Sequence, residues 1–169
     1  EILYVLDCPK DNYFLIKSDC SVLKTLYSEL HRLNGKKIVT HDAKPLLRKM
    51  MLEGYTLEIV FDTVLAAYVL NPSKSSYDLE SLYTEVLGCS ASDISSQIWG
   101  LEKLSQELEL KMKDAGSYLL YKNIELPLCT VLAEAEVVGV EVDFEFLNNV
   151  KVSEFSFDDD NVTLFFNSK

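Results

Sequence analysis

The sequence predicts an α/β domain, a mixed sheet of about five or six strands flanked by helices. Three observations predict it. Residues Gly35–Pro72 alternate strand and helix signals with tight connections. Short runs that read as hairpins lie near both ends of the chain. The 169 residues are 48% apolar, with nine Tyr and eight Phe, which is enough for one domain with a real core and argues against disorder.

The Gly35–Pro72 stretch is the most regular. Lys37–Thr40 has β-branched residues at its centre and reads as a strand. Asp42 is placed to cap a helix with Leu46, Leu47, Met50 and Met51 on its apolar positions. Pro45 falls in its first turn, where a missing N–H costs little, and Gly54 ends it. Leu57–Phe61 reads as a second strand. Asp62 caps a second helix carrying Leu65, Tyr68 and Val69, and Pro72 stops it. A crossover of this kind favours parallel neighbours in the sheet.

The flanking segments follow the same logic. Ile2–Leu6 and Tyr13–Ile16 form a hairpin about the turn Pro9–Asn12. Ser18 or Asp19 caps a helix with the stripe Val22, Leu23, Leu26, Tyr27, Leu30 and Leu33, and Gly35 closes it. Ser75 and Asp78 have the spacing of a capping box, as do Ser90 and Asp93. The first opens a helix through Leu79, Leu82, Tyr83, Val86 and Leu87 that Gly88 breaks. The second opens a helical region over Ala91–Lys113, with Gly100 a point of interruption. Tyr118–Val138 is a long helix with Ile124, Leu128, Val131, Leu132 and Ala135 on its expected buried side. Pro127 predicts a kink in it, and Gly139 ends it. Val150–Phe157 and Val162–Phe166 are short strands about a turn at Asp158–Asn161.

Composition limits the chemistry. A net charge of −11 repels a phosphate backbone, so the domain alone is expected to bind DNA weakly or not at all. Cys8, Cys20, Cys89 and Cys129 form no CxxC pair, and His31 and His41 complete the histidines. Structural zinc and disulfides are therefore not expected, and Cys20 and Cys129 read as buried thiols in a reducing, cytoplasmic setting. No apolar run approaches a membrane span and no signal peptide opens the chain. Neither a Gly-rich phosphate loop nor a nucleophile triad is visible.

Two tracts carry a family resemblance. FDTVLAAYVLNP, Phe61–Pro72, and LYKNIELPLCTVLAEAEVVGVEVD, Leu120–Asp143, resemble the 3′–5′ exonuclease domain of family A DNA polymerases, the bacterial DNA polymerase I group. The matches cover most of Glu1–Asp143. The resemblance implies a ribonuclease H-like 3′–5′ exonuclease fold over a single domain, residues 1–169. It also implies that the second tract leads towards the polymerase thumb. The family places a strand pair before the counterpart of Glu1, and here such a pair appears within 144–169. Reading that tail into EILYVLD makes an unbroken three-strand meander. A circular permutation, a first segment placed last, and a C-terminal extension adding an edge hairpin all account for it.

The family's exonucleases hold two divalent metals with four carboxylates, because hard Mg2+ or Mn2+ ions prefer oxygen ligands. Thr40–Leu46 resembles the family's Asn-x-x-x-Asp motif. Asp42 matches the asparagine, Lys44 a lysine, and Leu46 the metal-binding aspartate. The register of Leu101 and Leu104 sets Asp93 at the tyrosine and Gln97 at the aspartate of the Tyr-x-x-x-Asp helix. Asp158 and Asp160 match the Asp-x-Glu strand, or simply form a hairpin turn before Asn161. Asp62 is not among the family's four ligands and suits an N-cap. His41 has only its neighbour Asp42 as a visible partner, too little for a general base.

The expectation is a vestigial, catalytically inactive proofreading domain with no catalytic, cofactor or metal residues. It would support the polymerase domain of the same parent chain in DNA replication and repair, and that parent would carry the DNA-directed polymerase activity. Two alternatives remain. One is an active exonuclease using Mg2+ or Mn2+, which requires clustered carboxylates. The other is an independent interaction module on the same fold, which predicts a large exposed apolar patch.

Overall fold

The structure, a computed structural model, describes residues 2–7, 12–17, 20–91, 93–139, 141, 152–158 and 161–166. The chain divides into two compact units, Glu1–Val138 and Gly139–Lys169.

The first unit opens with the expected hairpin. Strands β1 (Ile2–Asp7) and β2 (Asn12–Lys17) pair antiparallel from Ile2↔Lys17 to Asp7↔Asn12. Helix α1 (Cys20–Arg32) buries Tyr27 and Leu30. Leu33, the last residue of its expected stripe, is exposed. The candidate caps Ser18 and Asp19 lie outside the described residues.

The strand–helix–strand–helix unit is present and its strands are parallel. They are much shorter than the sequence implies. β3 is Val39–Thr40 and β4 is Phe61–Asp62, paired Val39↔Phe61 and Thr40↔Asp62. The cause is local. The Ile38 carbonyl accepts from both Val60 N–H (3.0 Å) and Phe61 N–H (3.2 Å). Two residues of one strand thus oppose one of the other, as in a bulge, and the regular ladder starts only beyond it. Among the described residues the strands form three separate pairs, β1–β2, β3–β4 and the tail hairpin. The expected helix-flanked mixed sheet is therefore reduced to a small parallel pair with helices around it.

Helix α2 (Ala43–Leu52) ends as expected, with Gly54 at φ 82° donating to the Met51 carbonyl. Helix α3 (Thr63–Leu70) differs from the reading of its faces. Thr63, Ala66 and Ala67 are buried, whereas Tyr68 is exposed. Leu65 and Val69, also expected on the packed face, are partly buried against the core.

The two expected capping boxes are both displaced onto their acidic member. Asp78, not Ser75, is the N-cap of α4 (Leu79–Leu82) and accepts from Ser81 N–H at 2.9 Å. Asp93, not Ser90, caps α5 (Ile94–Asp114) and accepts from Ser96 N–H at 3.0 Å. A carboxylate is the stronger acceptor at either place. A π turn, Tyr83–Leu87, continues α4 and stops at Gly88.

Gly100 does not interrupt α5, which runs through it. Its role is close approach. A Cβ there would overlap Cε1 of Tyr83. Tyr83 is itself 1% exposed, and its hydroxyl donates to the Gln97 carbonyl one turn before the glycine. The ring therefore has nowhere to go.

The region Tyr118–Val138 is helical throughout, but in three pieces: α6 (Tyr118–Leu120), a π turn (Tyr121–Glu125) and α7 (Leu126–Val138). Pro127 lacks an N–H and its ring crowds the preceding turn, and the wider π turn directly before it relieves that conflict. The expected buried side is wrong. Ile124, Leu128, Val131, Leu132 and Ala135 are exposed, and the buried positions are Tyr121, Cys129 and Ala133.

The core has two parts. One packs Phe61, Ala66, Leu82, Tyr83, Leu104, Leu108, Met112 and Tyr121. The other packs Tyr27, Leu30, Leu47, Met50, Leu57, Cys129 and Ala133, with Leu46 half-buried against it. In the second unit β5 (Val152–Asp158) and β6 (Asn161–Phe166) form an antiparallel hairpin with an irregularity between Val152 and Glu154. The turn residue Asp160, and the termini Glu1 and Lys169 on which a permutation depends, lie outside the described residues.

One packing test follows from Gly100. Alanine has a helix propensity about 1 kcal/mol better than glycine, yet Gly100→Ala is expected to destabilise the domain by about 1–3 kcal/mol through overpacking against Tyr83. Urea denaturation of Gly100→Ala, Tyr83→Leu and the double variant measures this, with Gly100→Ala costing less in the Tyr83→Leu background than in the natural one.

Candidate functional site

In open α/β sheets ligands gather at the carboxyl ends of parallel strands. Here β3 ends at Thr40 and runs into His41 and Asp42, and β4 ends at Asp62. Helices α2 and α3 start directly after them. A cleft of about 190 Å³ opens at this point. Asp42, Lys44, Asp62 and Glu125 give it polar atoms, and Leu65, Leu128, Cys129 and Leu132 give it apolar walls.

Asp62 is part of its lining and is fully buried. Its Oδ1 accepts from Leu65 N–H at 3.0 Å, capping α3 as expected. Its Oδ2 accepts from the Thr40 hydroxyl at 2.9 Å and from Ala43 N–H at 2.6 Å. Ala43 is the first residue of α2. One carboxylate thus caps two helices and ties them to the end of β3. This corrects the reading of Asp42. That residue holds the N-cap position of α2 at φ 61°, a left-handed conformation, and its side chain makes no capping bond. The bond it was expected to make comes from Asp62, nineteen residues later in the chain.

The backbone of Asp62 is held from the other side. Its N–H donates to the Tyr121 hydroxyl at 2.7 Å, and that hydroxyl faces the Asp62 carbonyl at 3.3 Å. The Tyr121 ring packs on Phe61 with centroids 5.1 Å apart. Burial pushes the Asp62 carboxyl above its ordinary range, while the Leu65, Thr40 and Ala43 donors and nearby His41 pull against it. Burial likewise pushes the Cys129 thiol up to about 11, with Asp62 and Asp42 adding to the shift. That is a protonated, unreactive thiol at neutral pH.

His41 has a partner the sequence does not show. Its Nδ1 lies 2.8 Å from the Thr63 hydroxyl, which in turn donates to the Thr40 carbonyl at 3.3 Å. Burial lowers the His41 pKa, against the opposing pull of Asp62, Asp42 and Asp78. Neutral His41 is therefore a link in a strand-end network.

The remaining candidates scatter. Lys44 lines the cleft but its Nζ pairs with Glu136 of α7 at 2.8 Å, and Arg48 approaches the same carboxylate at 3.8 Å. Leu46 packs with the α1–α2–α7 cluster. Gln97 donates from Nε2 to the Ala91 carbonyl at 2.8 Å. Asp93 is occupied as a cap. Asp158 ends β5 in the second unit. Among the described residues no three His, Cys, Asp or Glu side chains are grouped to hold a metal. Sequence reasoning missed Tyr121, although it lies eight and twelve residues before the buried Cys129 and Ala133, on one helical row.

Comparison with known proteins gives this geometry a relative. The chain is 30% identical over 151 residues to DNA polymerase I of Caldicellulosiruptor bescii, covering 85% of this chain and 17% of that protein. The chain is homologous to part of bacterial DNA polymerase I. DNA polymerase I of Bacillus subtilis is 26% identical over 160 residues, covering 81% of this chain and 18% of its own. The thermostable DNA polymerase I of Thermus thermophilus is 33% identical over 106 residues, 62% of this chain and 12% of its own. Among solved structures, the POL domain of Pol1 from M. smegmatis, in complex with DNA primer-template and dNTP, matches with a TM-score of 0.70 at 25% identity. That match covers 87% of this chain and 27% of the other. No family model matches. The chain thus spans less than a fifth of the length of the DNA polymerase I relatives it resembles. No helix among the described residues is long and apolar enough to cross a membrane.

Two predictions follow from the junction. Asp62→Ala removes the acceptor of the buried Ala43 N–H and of the part-buried Leu65 N–H and Thr40 hydroxyl, and is expected to cost about 3 kcal/mol, read by urea denaturation. His41 has a folded pKa below its unfolded value, so its contribution is present above about pH 6.5 and is lost as pH falls through the folded pKa. NMR titration of the His41 ring should give a midpoint below that of the unfolded chain, and His41→Ala should flatten this part of the stability profile.

Proposed function

We propose that this chain is a vestigial 3′–5′ exonuclease domain of ribonuclease H-like fold, without a working metal site, in a parent of the DNA polymerase I type. Its role is structural support for the polymerase domain of that parent in DNA replication and repair. The observation that carries the reading is the surroundings of Leu46 and Gln97. Leu46, at the position of one metal-binding aspartate, is packed into an apolar cluster. Gln97, at the position of another, uses its amide to hold the Ala91 carbonyl. One is apolar and the other neutral. The residues present do not fit a pair of divalent cations, which needs several negative oxygens converging about 4 Å apart.

Asp62 strengthens the reading. It is the buried carboxylate nearest the cleft, and three donors already occupy its oxygens. A metal there would have to displace bonds that hold two helices. The net charge of −11 agrees with a domain that leaves DNA contact to the rest of its parent.

The test is release of mononucleotides from labelled single-stranded DNA in Mg2+ and in Mn2+, with calorimetric metal titration alongside. No release and no stoichiometric pair of bound metals are expected. Metal-dependent release that Asp158→Asn and Asp160→Asn abolish would overturn the reading. Leu46→Asp should not create activity, because ligands act as a group, and should cost about 1–3 kcal/mol by placing a carboxylate against an apolar cluster.

A further inference from the structure

The turn that follows α1 carries an asparagine–glycine pair, Asn34–Gly35. Of the six glycines in the chain, only Gly35 follows an asparagine. Asn34 is a clip. Its Oδ1 accepts from Glu58 N–H at 2.8 Å, and its Nδ2 donates to the Thr56 carbonyl at 3.2 Å. It thereby holds the segment leading into β4 against the end of α1. Both residues of the pair are exposed, and Gly35 sits at φ 84° with open space where a Cβ would be. With no side chain in the way, the Gly35 nitrogen can approach the Asn34 side-chain carbonyl carbon. The backbone bonds of the turn run from Leu33 N–H to Leu30, from Asn34 N–H to His31 and from Lys36 N–H to Leu33, and pass over Gly35 N–H. His31 stands beside the amide. Its Nδ1 lies 3.2 Å from Asn34 Nδ2 and 2.8 Å from the Thr56 carbonyl oxygen, and its ring lies against Tyr55 with centroids 6.0 Å apart. An imidazole is the side chain best suited to passing a proton near neutral pH.

We propose that Asn34–Gly35 is a self-modifying site, at which the side-chain amide is lost as ammonia and His31 supplies the proton to the departing nitrogen. Gly35 N gives its proton to water and attacks Asn34 Cγ. The new bond closes a succinimide ring as the Cγ–Nδ2 bond breaks. Nδ2 leaves as ammonia with the proton of the imidazole, which solvent then restores. A water molecule opens the ring. Attack at one ring carbonyl gives aspartate, and attack at the other gives isoaspartate, whose main chain is longer by a methylene. Water is consumed and ammonia released, with no change of oxidation state. The product cannot do what the amide did. A carboxylate has no donor for the Thr56 carbonyl, and in isoaspartate the added methylene carries the carboxylate away from Glu58 N–H. The reaction therefore adds a negative charge and loosens the segment that feeds β4. It runs one way, so it records the age of the molecule.

The experiment holds the complete natural polypeptide at neutral pH for weeks, folded and in urea, beside its His31→Gln and His31→Ala variants. Circular dichroism checks the fold of each. Peptide mapping by mass spectrometry measures conversion of Asn34, and electron-transfer fragmentation separates aspartate from isoaspartate. Hydrogen exchange over residues 55–60 is read on the same samples. The expected result is conversion at Asn34 in the folded natural chain, slowed several-fold by either substitution. In urea, where the imidazole is no longer held at the amide, the substitutions should cause no such slowing. Exchange over residues 55–60 should be faster in the converted molecules. A folded natural chain that keeps its Asn34 amide while the chain in urea loses it overturns the proposal, because the turn then protects the amide. Folded variants that convert as fast as the natural chain, or faster, overturn the part given to His31, which then only braces Thr56. Unchanged exchange over residues 55–60 overturns the loosening. The natural chain by itself decides whether the site reacts, whatever the variants do.

Discussion

Three donors converge on the buried carboxylate of Asp62, and the architecture around the cleft depends on them. The Thr40 hydroxyl comes from the end of β3, Ala43 N–H from the start of α2, and Leu65 N–H from the first turn of α3. Each helix start has N–H groups that the helix itself cannot satisfy. An acid at the end of β4 satisfies one from each helix and binds the two crossovers together. Tyr121 then fixes the main chain of the same residue, which couples the long C-terminal helix to the strand pair. With β3 and β4 only two residues each, backbone pairing alone holds little, and side-chain bonds to Asp62 supply what a longer ladder would otherwise provide.

This arrangement bears on function. Helix N-termini at a strand end are natural places for an anionic ligand. Here two of them meet on a carboxylate of the chain itself. His41 is likewise engaged with Thr63, Lys44 with Glu136, and Gln97 with Ala91. Polar groups that a catalytic reading would enlist are committed to holding the domain together. That favours the proposed supporting role, and under it a single acid placed at Leu46 is not expected to create chemistry.

Local signals were legible in the sequence where one residue decides the outcome. Gly54, Gly88 and Gly139 end helices at positive φ, as their positions imply. The parallel pair, both end hairpins and the cap of α3 follow from period and capping chemistry. The Asp62–Ala43 bond was not legible, because it joins residues nineteen apart and Asp42 stood in the expected place. Nor was the face of α7. Counting large aliphatic residues selects Ile124, Leu128 and Val131 as core, but close packing against α2 requires Ala133 and Cys129 instead, and the larger side is left facing outwards. Gly100 looked like a break because its contact with Tyr83 exists only in three dimensions.

The central claim is that one carboxylate caps both helices, and it can be read directly. Scalar couplings across hydrogen bonds, measured by NMR between the side-chain carboxyl carbon of Asp62 and the amide nitrogens of Ala43 and Leu65, test it without altering the protein. Coupling to both nitrogens is the predicted result. Coupling of the Ala43 nitrogen to the Asp42 carboxyl carbon instead, with none to Asp62, would contradict it.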